Sequence, residues 1–135
     1  MLHQNYLVVK NFLNRYNKKK RGALPHPNEG NRMSDIIAAV ATGWQTSAIG
    51  IIRMSGSGCI EIAKQVFKPR FGSVDTAKDR SLIIGHLFDK QGRLIDEVLL
   101  TISHGPNSYT GEDTAEFQCH GSPAVLTAGL DSLFA

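Results

Sequence analysis

The sequence predicts an α+β domain: a mixed β-sheet of about five strands with helices packed on one face, in the order β-β-α-β-β-β-α. Three observations carry this. Apolar, β-branched runs of strand length recur between Gly, Pro and Asn turn signals. The stretch from Cys59 to Val66 switches to helical spacing, and Ser122-Pro123 opens a second helical stretch after the last strand. At 135 residues and 41% hydrophobic content, the chain suits one small domain with its own core.

Residues 36–42 and 48–54 read as two strands joined by Gly43-Trp44-Gln45-Thr46-Ser47. Gly56-Ser57-Gly58 leads into the first helix, where Ile60, Ala63 and Phe67 fall at helical spacing until Pro69 stops it. Residues 68–80 are polar and read as loop. Leu82–Asp89 and Leu94–Ser103 flank Lys90-Gln91-Gly92, a hairpin signal. The run from Gly105 to Asp113 is turn-rich, since Pro106 fixes φ while Gly and Asn accept positive φ. It feeds a fifth strand, Thr114–Cys119, which sets Ala115, Phe117 and Cys119 on one face and Thr114, Glu116 and Gln118 on the other. The final residues, Leu130 to Ala135, continue the last helix's apolar stripe without a stop signal, so the sequence reads as truncated there.

Charge divides the chain. Residues 1–32 carry a net +6 and the remainder −3, so the overall +3 is a property of the extension. The extension holds an apolar-basic segment from Tyr6 to Tyr16 that fits a short amphipathic helix, a Lys18–Arg21 cluster and a linker with Pro25 and Pro27. Its composition predicts a disordered basic arm, set apart from a folded domain over 33–135. Three origins fit it: an upstream extension with Met33 as the natural start, an RNA-attracting arm, or a targeting peptide. Met33, just ahead of the Asp35–Thr42 stretch that opens the folded part, favours the first. No apolar run approaches the ~20 residues a spanning helix needs, which predicts no membrane insertion. Cys59 and Cys119, without a secretion signal or zinc spacing, predict reduced thiols in a cytoplasmic protein.

Few residues carry a chemical signal. Glu116, fixed on a strand beneath a tight loop, can accept from the flat donor edge of a ligand; a solvated strand face carries the same pattern. Arg53, within Ile51-Ile52-Arg53-Met54, needs an anion or a route to water, and an outward-facing strand arginine meets that need as well. Tyr109 and Trp44 are stacking surfaces or core residues. Glu112 and Asp113 resemble a carboxylate pair, but neighbours on an extended segment point apart, which favours loop capping. The same alternation argues against mutual activation of Cys119 and His120. Gly56-Ser57-Gly58 reads as a helix entry, and His86 and His104 as ordinary strand residues without ligand spacing. No catalytic residue and no metal ligand is expected. No Gly-x-x-x-x-Gly-Lys-Ser/Thr occurs, so no P-loop can cradle a nucleotide.

Taken in order, Asp35–Thr42, Ala48–Gly56, Ile95–Leu99 and the run Gly105–Gly121 resemble the N-terminal domain of the bacterial tRNA uridine-modification GTPase family (MnmE, also called TrmE), over about residues 34–135. The resemblance implies a folate-binding, dimer-forming module like that of the aminomethyltransferases, with the domain continuing for a few more elements. It assigns Arg53 and Glu116 to folate contact; Tyr109 joins them as a candidate only through its own stacking surface. The implied cofactor is 5-formyl- or 5,10-methylene-tetrahydrofolate, a one-carbon donor. GTP, Mg²⁺ and K⁺ would belong to a GTPase domain outside this chain. A flavin-dependent partner of the MnmG/GidA type and tRNA modified at C5 of the wobble uridine would be partners of the full-length protein. The resemblance therefore predicts a binding module, non-catalytic by itself. Two alternatives stand beside it: RNA docking through the basic extension, and a stand-alone folate-dependent transferase.

Overall fold

The computed structural model describes Leu7–Val8 and residues 36–134. A single sheet contains six strands between residues 37 and 121, and Leu7–Val8 adds a short seventh at one edge. In chain order the elements are β1 (Leu7–Val8), β2 (Ile37–Val40), β3 (Ser47–Ser55), α1 (Cys59–Val66), β4 (Phe67–Pro69), β5 (Ile83–Phe88), β6 (Leu94–Ser103), β7 (Thr114–Gly121) and α2 (Pro123–Leu133). A 3-10 turn at Val74–Thr76 precedes β5. Across the sheet the order is β1-β2-β3-β7-β6-β5-β4.

Two expectations are corrected. The sheet is not mixed: every neighbouring pair is antiparallel. A parallel pair needs a crossover that returns beside its starting strand. Here α1 carries the chain from β3 to β4 at the far edge, with β7, β6 and β5 between them. The strand count also exceeds five. Phe67–Pro69, read as helix end and loop, forms edge strand β4 against β5, an edge position that tolerates Pro69 because no neighbour needs its missing N–H. Within the Tyr6–Tyr16 segment, Leu7 and Val8 pair with Ala38 and Ile37 rather than forming a helix. The other readings of the basic extension lie outside the described residues.

Alternation then sorts every strand into two faces. Ile52 and Met54 of β3, Val98, Leu100 and Ile102 of β6, and Ala115, Phe117 and Cys119 of β7 all point into one core. Helix α1 closes this core with Cys59, Ile60, Ile62, Ala63 and Val66, and α2 with Leu126 and Leu133. Phe117 is fully buried at the centre, its ring 6.2 Å from that of Phe67. A side chain of this size contributes roughly 1.5–3 kcal/mol by leaving water.

Two glycines make the packing possible. Gly58, at φ 92, occupies the left-handed position that starts α1. Gly129 lets α2 lie against the sheet, since a Cβ there would fall 2.7 Å from Ile52 Cδ1. Ser122 occupies the N-cap position of α2 with Pro123 in the first turn, but its side chain makes no capping bond; its carbonyl accepts from Leu126 N at 3.0 Å. Both helices lie on one side, so the described residues leave the opposite face of the sheet bare.

Candidate functional site

The bare face carries Ile51, Arg53 and Ser55 of β3, Glu116, Gln118 and His120 of β7, and Leu99 and Thr101 of β6. Arg53 pairs in register with Glu116, and Glu116 in turn with Thr101, so three polar side chains form one row across three strands. The Arg53 Nε–H donates to Glu116 Oε1, closing a charge-assisted pair across 63 residues of sequence. With side chains 42% and 27% exposed, this pair is worth at most about 1 kcal/mol to stability. The strand register therefore sets where the two residues stand, and the bond between them sets only how their side chains point.

The Gly105–Asp113 loop rises at one end of this row. The Arg53 guanidinium carbon lies 5.8 Å from the ring centroid of Tyr109, within cation–π range, while Tyr109 is 93% exposed. Internal hydrogen bonds shape the loop. Asp113 Oδ1 accepts from Gly105 N at 3.0 Å, and Ser108 Oγ donates to the Glu112 carbonyl. Ser55 Oγ and Thr110 Oγ1 are 2.8 Å apart, and Ser55 also donates to Glu112 Oε2 at 3.3 Å. A second turn clamps the loop from the side: Arg80 Nη1 donates to the Asn107 carbonyl at 3.3 Å, and His104 N to Asp79 Oδ1 at 3.1 Å. The His104 ring bonds the same Asp79 carboxyl and holds it below the ordinary aspartate range.

Beyond the polar row, apolar side chains join polar ones on this face. Two residues further along the strands runs Ile51–Gln118–Leu99–Ile84, in register. A shallow hollow of about 310 Å³ opens there, its walls including Ile49, Ile84, Leu99, Glu97, Gln118 and His120. An acceptor, a guanidinium and an exposed ring thus stand next to a partly apolar floor. Such a surface can hold a planar heterocycle by its edge and accommodate an attached apolar body.

The structure brings Arg53, Glu116 and Tyr109 to one place. Trp44 stands apart, because its loop follows β2 at the Ser47 end of β3 while Arg53 is near the Ser55 end. Glu112 and Asp113 turn to different partners, as alternation requires. Cys119 is buried in the core, whereas His120 is exposed with its ring 2.8 Å from Asp96 Oδ1. Burial, reinforced by the Asp113 carboxylate, pushes the Cys59 thiol up to about 12; burial, with Asp96 adding to it, does the same for Cys119. Neither is a nucleophile at neutral pH. His86 sits on β5 beside Glu97 at 3.4 Å, while His104 lies one residue beyond β6 rather than in a strand. No group of three or more metal-ligating side chains occurs among the described residues. No helix among them is long and apolar enough to cross a membrane. Sequence reasoning passed over Ser55 and Thr101. The period-2 alternation of β3 and β6 was the available signal, since it puts both on the face of Arg53 and Glu116.

These features define a helix-backed antiparallel sheet with its polar chemistry gathered beside one loop of an open face. Residues 36–135 match the family described as GTP-binding protein TrmE N-terminus, and the chain belongs to that family. It is similar to the tRNA modification GTPase MnmE of Desulforamulus reducens, 45% identical over 101 residues that make up 73% of this chain and 22% of that protein. The MnmE of Clostridioides difficile is 46% identical over 90 residues, 66% of this chain and 19% of that protein. The MnmE of Thermus thermophilus is 41% identical over 104 residues, 76% of this chain and 24% of that protein. The chain thus spans about a fifth of the length of these relatives.

Proposed function

We propose that this chain is the tetrahydrofolate-holding and self-associating module of a tRNA modification GTPase. The observation that carries the reading is the Arg53–Glu116 pair, set on an open sheet face beside Tyr109 and a partly apolar hollow. The residues fit a reduced folate chemically. A carboxylate accepts two N–H bonds from the amino-pyrimidine edge of a pterin, and a guanidinium binds carbonyl or carboxylate oxygens. The weak, half-exposed ion pair can open at little cost to stability when such a ligand arrives. Tyr109 supplies a face for stacking, and the Ile51–Leu99–Ile84 floor receives the apolar body that follows the pterin. Bound 5-formyl- or 5,10-methylene-tetrahydrofolate would contribute the one-carbon unit; the protein's part is to grip and orient it.

On this reading the GTPase and tRNA-modifying activities belong to the longer protein. There, GTP, Mg²⁺ and K⁺ would bind in a separate domain, and the substrate would be the wobble uridine of tRNA, handled together with a flavin-dependent partner protein in the cytoplasm. A second copy would cover part of the bare face, giving a homodimer with folate sites near its interface. The fold would then be of the aminomethyltransferase type. Calorimetric titration of the chain with 5-formyltetrahydrofolate tests the site. Saturable binding that drops at least about tenfold in both Arg53→Ala and Glu116→Ala is the expected result. Equal affinity in all three proteins removes both assignments.

A further inference from the structure

Thr101 is the one described residue with a buried side-chain polar atom lacking a hydrogen-bond partner. Its position makes this informative. Thr101 stands on the bare face, between Leu100 and Ile102, which point into the core. It lies directly across from Glu116 in the β6–β7 register, while Arg53 flanks Glu116 from the opposite strand. Directly opposed residues on one face of an antiparallel pair have Cβ atoms about 4.5–5.5 Å apart, close enough for a hydroxyl to reach a carboxylate after a rotation. A buried hydroxyl left unpaired costs stability, and valine fits a strand interior equally well. The free protein therefore gains nothing from this oxygen where it stands.

We infer that Thr101 is a positioning residue for Glu116, donating its hydroxyl hydrogen to the carboxylate when a ligand draws Arg53 away. The inference rests on the folate reading above. Glu116 accepts from Arg53 Nε in the free protein. A planar donor edge arriving from outside needs both carboxylate oxygens facing it in one orientation. Once the guanidinium turns to the ligand, Glu116 loses that partner, and its χ angles are no longer fixed. A hydroxyl donor from the strand on the other side restores the constraint without bringing in a second positive charge. Thr101 is the residue in register to supply it, and its unused hydroxyl in the free state is what a donor held in reserve for the bound state requires.

The test separates stability from binding, which a purely structural threonine would move together. Thr101→Val removes the unpaired hydroxyl, so its Tm should rise by on the order of a few degrees while its affinity for 5-formyltetrahydrofolate falls about tenfold. Thr101→Ser keeps the donor and should restore affinity to within about twofold of the parent. In a Glu116→Ala background, Thr101→Val should cause no further loss, because no acceptor is left for the hydroxyl. A lowered Tm in Thr101→Val shows that the hydroxyl already has a partner in solution and overturns the inference. So does unchanged affinity in that variant, failure of serine to restore it, or an undiminished effect in the Glu116→Ala background. If the parent protein itself binds no folate, the site reading falls and this inference with it. If the parent binds and only the Thr101 results fail, the inference alone is wrong.

Discussion

Glu116 and Phe117 are neighbours on one strand, yet they live in different solvents. Phe117 is fully buried beneath two helices, while Glu116 stands on the bare face in a half-exposed ion pair. The same contrast runs along β3, where Ile52 and Met54 are fully buried and Arg53 between them reaches outward. A two-residue period thus divides one sheet into a face that holds the domain together and a face left bare among the described residues. Substitutions on the two faces should therefore differ, those in the core lowering stability and those on the bare face lowering ligand affinity without lowering stability much.

The largest contrast should come from adjacent residues. Phe117→Ala is expected to cost about 3–5 kcal/mol through lost burial and a central cavity, read as a fall in the urea midpoint. Glu116→Ala should change the same midpoint by less than about 1 kcal/mol, because a half-exposed pair contributes little. A comparable loss in both would erase the division between the faces. The core should also silence its thiols. With Cys59 and Cys119 raised to about 12, a disulfide reagent at pH 8 should react with the folded chain at least about a hundredfold more slowly than with the urea-unfolded chain. Rapid modification of either cysteine without unfolding would mean the helices do not seal that side.

How much of this division was legible beforehand follows from which contacts are local. Helix α1 and the alternation of β7 could be read because spacing over a few residues determines them. Strand β4 could not, because Lys68-Pro69 has loop chemistry. It becomes a strand only because Phe67 packs over Gly85, where a Cβ would lie 2.4 Å from the Phe67 ring. The insertion of β7 between β3 and β6 is equally non-local, and it is what turns an expected mixed sheet into an antiparallel one. For the site, alternation placed Glu116 and Arg53 on strands, and the family resemblance singled them out. Their direct register, and the third member Thr101, required the sheet order.

The smallest expected effect lies away from both faces. Lys64 donates to Asp75 at 2.6 Å and to Glu61 at 2.8 Å, linking α1 to the 3-10 turn. The hydrogen bond from Lys64 holds the Asp75 carboxyl below its ordinary 3.8. Any stability from this depressed carboxyl is present above that ordinary value and is lost as pH falls through the lowered one. Asp75→Asn should therefore differ slightly from the parent at pH 7 and coincide with it near pH 2, when urea midpoints are compared. A difference that grows in acid would reverse the sign and place another interaction at this link.

Amide chemical-shift mapping during titration with 5-formyltetrahydrofolate tests the central claim most directly. Shifts gathered at Ile51, Arg53, Thr101, Glu116 and the Gly105–Asp113 loop, with α1 and α2 little changed, are the predicted outcome. Shifts centred on the helices, or no saturable change at millimolar ligand, would contradict it.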